Sequence, residues 1–179
     1  IFVKIISGSP YPVFSSGLTN RFSFQNFTFS ISLQGSRGNE ILQLSRTQLA
    51  NNRARFRQLS ILNNYWKSEA EPGDGQTPRP NDSPTGNWRG EYSTQWLDNG
   101  SYLRINNISL SYLLPETICN KLTMKSLKLY MNSSNPFTFT KYVLFNPDVS
   151  RNSSSLQPGD ERFDFPLAKS LIFGMTLTF

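Results

Sequence analysis

Residues 12–37 alternate apolar and polar side chains with a period of two, break for two residues, and alternate again. Phe14, Leu18, Phe22 and Phe24 fall on even positions, with Ser15, Gly17, Thr19, Arg21 and Ser23 between them. After Gln25-Asn26, Phe27, Phe29, Ile31 and Leu33 resume the series against Thr28, Ser30, Ser32 and Gln34. Side chains point to opposite faces along a β-strand, so each run predicts a strand with one greasy and one wet face, and the pair predicts a hairpin. The same pattern returns with Ile108, Leu110 and Tyr112, with Leu127, Leu129 and Met131, and with Leu171, Phe173, Met175 and Leu177. Two departures are informative. Leu103 and Ile105 are one position out of phase with Ile108, which predicts a β-bulge near Asn106. Pro136 cannot donate to a ladder, which predicts a second bulge or phase change there.

The expected strands span about residues 12–25, 27–37, 101–114, 125–141 and 168–179, close to the roughly 9–11 residues that cross a bilayer at a tilt. Two connections are short (25–26 and 116–123) and two are long (39–100 and 143–165). Outer-membrane barrels show that asymmetry, with short periplasmic turns and long extracellular loops, so the expected fold class is all-β, an antiparallel transmembrane β-barrel segment. Five strands cannot close a barrel, because an open edge in hydrocarbon strands backbone groups at several kcal/mol each. Further strands are expected upstream or from other chains.

Composition narrows the chemistry. Phe (14) and Tyr (7) are abundant and charged residues reach only 17%, which suits many short two-faced strands better than helices. The single Cys119 excludes an internal disulfide framework, and the absence of His removes the commonest metal ligand and general base, so neither a metal centre nor Ser-His or Cys-His catalysis is expected. Carboxylate pairs such as Asp160-Glu161 and Glu69/Glu71 lie in polar, loop-rich segments, and no enzyme is expected. The net charge of +6 is scattered and not gathered in a stripe, which argues against nucleic acid. No apolar run reaches about 18 residues, which excludes a membrane helix and says nothing of a barrel. Ile1 follows no initiator Met or signal peptide, so the start of the protein is expected to lie upstream.

Between the second and third strands, NEILQLSRTQLANNRARFRQLSIL (39–62) predicts a helix with an imperfect stripe of Ile41, Leu44, Leu49, Phe56 and Leu59. EPGDGQTPRPNDSPTGN (71–87) carries turn chemistry. Trp66, Trp88, Tyr92 and Trp96 there serve either as packing aromatics, or as platforms for sugars or a contact surface for a lid protein, with packing the commoner role.

The residues also resemble a known family. WLDNGSYLRINNISLSYLLP (96–115) is similar to the C-terminal block of the SusC/RagA family of TonB-linked outer-membrane proteins of Bacteroidota. Blocks at 7–39 (SGSPYPVFSSGLTNRFSFQNFTFSISLQGSRGN), 133–149 (SSNPFTFTKYVLFNPDV) and 163–179 (FDFPLAKSLIFGMTLTF) agree in order. Phe165-Pro166 departs from a more usual Tyr-Pro, and 40–66 has no match. The resemblance implies that residues 1–179 are the C-terminal strands of a barrel of roughly the 22-strand class, whose plug domain and N-terminus are absent here. It implies an importer of glycan oligomers or peptides, a SusD-like surface lipoprotein over its mouth, a TonB complex acting through the missing N-terminal part, and no cofactor. The C-terminus would be periplasmic.

Sixteen positions are expected to face lipid: Phe22, Phe24, Phe27, Phe29, Ile31, Leu33, Ile108, Leu110, Tyr112, Leu127, Leu129, Met131, Leu171, Phe173, Met175 and Leu177. Arg104 and Lys128 fall on the wet face and would line a lumen, and no substrate-binding residue is assigned. Phe179, a terminal aromatic after alternating apolar positions, resembles the signal read by barrel-assembly machinery; its other, compatible reading is a girdle aromatic at the periplasmic interface. The competing expectation is a soluble β-sandwich that binds carbohydrate, which would need a second sheet to cover the Phe rows.

Overall fold

The computed structural model describes residues 7–49, 60–75, 77, 79, 94–149 and 158–179. The chain divides into two compact units, one built from residues 12–38, 100–147 and 165–179, the other from 1–11, 39–99 and 148–164.

The first unit is a five-stranded antiparallel sheet, β1 (Phe14–Phe24), β2 (Phe27–Arg37), β5 (Tyr102–Leu113), β6 (Ser126–Thr140) and β8 (Ser170–Thr178), in the order β1-β2-β5-β6-β8. Gln25 and Asn26 close the first hairpin, with Phe24 opposite Phe27 and Gln25 at φ 50°. A turn this tight needs a left-handed backbone at a central position, and the strands pair through every residue from Phe14/Arg37 inward. Pro115 stops β5, and a short helix, α2 (Glu116–Lys121), buries Cys119 before the chain turns back. The turns 25–26 and 114–125 thus join strand ends on one edge of the sheet, and 38–101 and 141–169 join those on the opposite edge.

Both expected bulges are present, and together they explain the phase of the pattern. Between Ser32/Asn107 and Leu33/Ile105, β5 carries one more residue than β2, namely Asn106. Between Asn107/Ser134 and Ile105/Phe137, β6 carries one more than β5, with Asn135 at φ 49° beside Pro136. The first bulge moves Leu103 and Ile105 back to the face of Ile108. The second adds another residue, so β6 has two extra relative to β2 and its odd positions stay on one face from Leu127 to Phe139.

The second unit centres on β3 (Glu40–Gln43), paired antiparallel with β4 (Leu97–Asn99) and parallel with β7 (Asp160–Glu161). The sequence predicts helix from residue 39, but helix α1 spans only Leu44–Leu49 and the segment before it is strand. Its strand partners lie far off in sequence, beyond the reach of local periodicity, and they bury Ile41 completely. Residues 50–59 of that expected helix, Phe56 and Leu59 included, lie outside the described residues, and Ser60–Asn64 form a 3-10 turn.

Polar groups complete this small core. The Gln43 amide donates to the Asp98 carboxylate, and the Ser45 hydroxyl and backbone N–H both donate to the buried Glu161 carboxylate. Glu161 is therefore no loop carboxylate but a tie between α1 and β7. Burial pushes the Asp164 carboxyl up from its ordinary value, and the Glu161 and Asp160 charges push it the same way. Strands of four, three and two residues are too few to form the covering layer of a sandwich over five long ones.

Candidate functional site: a two-faced strand wall

Cross-strand register assigns the paired residues of the five strands to one of two faces. One face carries the row Phe24, Phe27, Tyr112, Leu129 and Met175, the next Phe22, Phe29, Leu110, Met131 and Phe173, and the next Ile31, Ile108 and Leu171. Leu33 follows, and Leu127 and Leu177 pair at the short-turn end. All sixteen residues expected to face lipid therefore share one side of the sheet. Phe14, Leu18, Leu103, Ile105, Phe137 and Phe139 join them by the same register; the phase slip in β5 and Pro136 in β6 hid the last four from a simple count.

This apolar side is uncovered. Phe24 is 73% exposed and Phe173 70%, and the buried apolar residues among those described are Ile41, Leu44, Tyr102, Cys119 and Tyr142, none in the apolar rows. Leaving a large apolar side chain in water costs about 1.5–3 kcal/mol, so a surface of this extent requires an apolar environment.

The apolar rows are graded along the strands. Aromatics gather at the short-turn end, where Phe27 and Tyr112 lie 4.4 Å apart and Phe22 and Phe29 6.4 Å, and again at the long-connection end with Phe14 and the pair Phe137–Phe139 at 6.4 Å. Aliphatic Ile31, Leu33, Ile105, Ile108 and Leu171 lie between. The ten steps along β2 from Phe27 to Arg37 rise about 34 Å, or about 25 Å of depth at a tilt of about 40–45°, the height of the apolar band of outer-membrane barrels. Asn20 and Ser133 are the polar exceptions in the middle row, and the Ser133 hydroxyl donates to the Ser170 carbonyl at 3.2 Å.

The opposite face is polar. Thr19 and Ser32 hydroxyls meet at 3.0 Å, Ser23 and Thr28 at 3.3 Å. A shallow depression is lined by Arg21, Thr28 and Ser30, by Ser109 and Ser111, and by Lys128, Tyr130, Asn132 and Thr176, so all five strands contribute to it. Gly174 lies beneath the Tyr130 ring, where a Cβ would come within 2.3 Å of it.

Lys128 is exposed on this face as the sequence implies, but Arg104 is not a solvated lining residue. It is 5% exposed, with its guanidinium 4.8 Å from the Tyr102 ring centroid and donating to Asn146 Oδ1 at 2.8 Å. Gln34 donates to the Tyr102 hydroxyl at 3.2 Å and accepts from Asn106 at 3.0 Å, so a side-chain network runs from the bulge to residue 146. Phe179 is 75% exposed beyond the end of β8. Trp96 packs beneath Arg46 at 5.8 Å, Trp66 is partly exposed, and Trp88 and Tyr92 lie outside the described residues. Among the described residues no group of His, Cys, Asp and Glu could hold a metal ion.

No family model matches the chain. Among curated proteins, TonB-dependent receptor P3 of Formosa agariphila is 25% identical over 98% of this chain and 17% of its own length. TonB-dependent receptor P26 of the same organism is 26% identical over 98% of this chain and 18% of its own length. TonB-dependent receptor SusC of Bacteroides thetaiotaomicron is 26% identical over 91% of this chain and 15% of its own length. The RagAB peptide transporter superposes with a TM-score of 0.76 at 22% identity, covering 97% of this chain and 18% of that one. In its closed-closed state the TM-score is 0.71. The chain spans less than a fifth of the length of these proteins, which are receptors and a transporter. Homology along nearly all of its length, and a strand path shared with a solved transporter, make this chain a homologue of the TonB-dependent receptors, SusC among them, folded as a segment of their kind of β-barrel.

Proposed function

We propose that the chain forms five adjacent strands in the wall of an outer-membrane, TonB-dependent importer, and has no chemistry of its own. The apolar rows face lipid, the polar face looks into the channel, the long connections are extracellular, and the short turns and C-terminus are periplasmic. Phe179 acts as the assembly signal. Cargo is a glycan oligomer or a peptide, the latter being what RagAB carries, taken up with a SusD-like lipoprotein at the mouth and a TonB complex on the periplasmic side. The observation that carries this reading is the uniform sidedness of five strands: exposed aromatic and aliphatic rows on one side, hydroxyls, amides and cations on the other.

Spin labels at Phe173→Cys and Thr176→Cys, in the full-length protein with Cys119→Ser, test it in outer membranes. Oxygen, which concentrates in lipid, is expected to relax the label at 173, and a water-soluble nickel complex the label at 176. Equal or reversed accessibility would sink the reading. Deleting the gene and supplying oligosaccharides or oligopeptides as sole nutrient separates the two cargo classes.

A further inference from the structure

We infer that the long-connection end of the apolar face binds the phosphate of lipid A, the phosphorylated glycolipid of the outer leaflet, with Arg37 and Lys141 as its two cations. The inference rests on the lipid-facing reading of that side. Its first support is charge. Residues 12–38, 100–147 and 165–179 contain eight Lys and Arg against one acid, Glu116, which stands at the short-turn end in α2. Arg37 is the one charged residue in the apolar rows, directly across from Phe14. Lys141 continues the alternation of Phe137 and Phe139 one position past the end of β6. Both are exposed, and among the described residues neither forms an ion pair.

Register brings the two cations together. Ser36 pairs with Tyr102, and Tyr102 with Thr140, so one position further out Arg37, Ser101 and Lys141 form a row across three neighbouring strands. Ser101 is held between them: its hydroxyl oxygen accepts from the Gly38 N–H at 3.0 Å, and its carbonyl accepts from the Thr140 hydroxyl at 2.9 Å. At one strand spacing each, the Arg37 and Lys141 backbones stand about 10 Å apart. Two long side chains can converge on one phosphate across that gap, Arg as a planar fork for two oxygens and Lys as a point charge. What lies inward sets the rest of the ligand. The next row is Gly35, Leu103 and Phe139, and the one after it Leu33, Ile105 and Phe137; Leu103, Phe137 and Phe139 are exposed. An anionic head joined to apolar chains matches that order, whereas free phosphate or an acidic protein segment would use the cations and leave the apolar rows uncovered.

A benzophenone amino acid in place of Phe139, in the full-length protein in outer membranes, tests the site. On illumination its ketone carbon inserts into a neighbouring C–H bond and the hydrogen moves to its oxygen, so nothing is lost and the adduct mass identifies the neighbour. The expected adduct is lipid A with its phosphate, and Arg37→Gln with Lys141→Gln is expected to lower its yield about tenfold or more. Lys121→Gln with Lys125→Gln removes two charges at the short-turn end and is expected to leave the yield unchanged. The same amino acid in place of Phe173 should couple to lipid in every variant. Lipid at position 173 together with an undiminished lipid A adduct in Arg37→Gln/Lys141→Gln overturns the inference. Equal losses in the two double variants overturn it too, as does a phospholipid or protein adduct at position 139 in place of lipid A. If instead the wall faces the other way, position 173 gives no lipid adduct in any variant, so the two failures are distinguishable.

Discussion

Single side chains on the apolar face carry the cost of the membrane reading. Leu171 lies in the middle row and Phe173 in the next. Arg at either position is expected to cost about 2–4 kcal/mol if the site is at the bilayer midplane and to reduce assembly, read as loss of the folded, heat-modifiable band from outer-membrane fractions. Normal insertion of both variants would refute the register. Arg104 shows where single-residue reading stops. Its alternation with Leu103 and Ile105 assigns it to the wet side, but its bond to Asn146 depends on a segment more than 40 positions away, and nothing local in SYLR announces burial.

At the level of elements, the bulge at Asn106 is what keeps β5 two-faced. Deleting Asn106 would put Leu103 and Ile105 on the polar face and Tyr102 and Arg104 on the apolar one. The variant is expected to lose assembly or to detach the 141–147 segment, read as new protease cleavage near Val143, which is exposed at that segment. This bulge was legible because an apolar phase slip has few other causes, and the strands were legible because two unlike environments on the two sides of a sheet write a period of two into neighbouring residues. Strand β3 was not legible: Glu40–Gln43 are held by Leu97–Asn99 and Asp160–Glu161, and pairing across such distances leaves no local period. The small unit also has a pH dependence. Asp164 has a raised carboxyl pKa when folded, through burial and then the charges of Glu161 and Asp160, so the folded state binds more protons than the unfolded one between the ordinary and the raised value. Stability there falls as pH rises through that window, and the penalty is complete above it. Asp164→Asn is expected to slow amide exchange in β3 and β7 at neutral pH, after correction for intrinsic rates, and to have no effect below the ordinary carboxylate range.

For the whole molecule, the outer edges of β1 and β8 govern behaviour. Each pairs on one side only, and unpaired backbone groups cost several kcal/mol apiece in hydrocarbon. Residues 1–179 alone, refolded in detergent micelles, are therefore expected to aggregate and not to yield a heat-modifiable monomer; a stable monomer of this chain would mean that the sheet closes without help.

The paired bulges make the strand lattice behave like a crystal with two stacked dislocations. Below them the rows run straight across the wall. Above them each successive strand from β2 to β6 has gained a residue, so the rows climb by about 7 Å over a width of about 10 Å. The upper rim is thus a staircase and not a level ring, with Phe137 and Phe139 on a step above the last β6–β8 pair, Ser134/Ser170. A surface that seats on this rim must carry the matching step, so it would fit the barrel in one rotational setting.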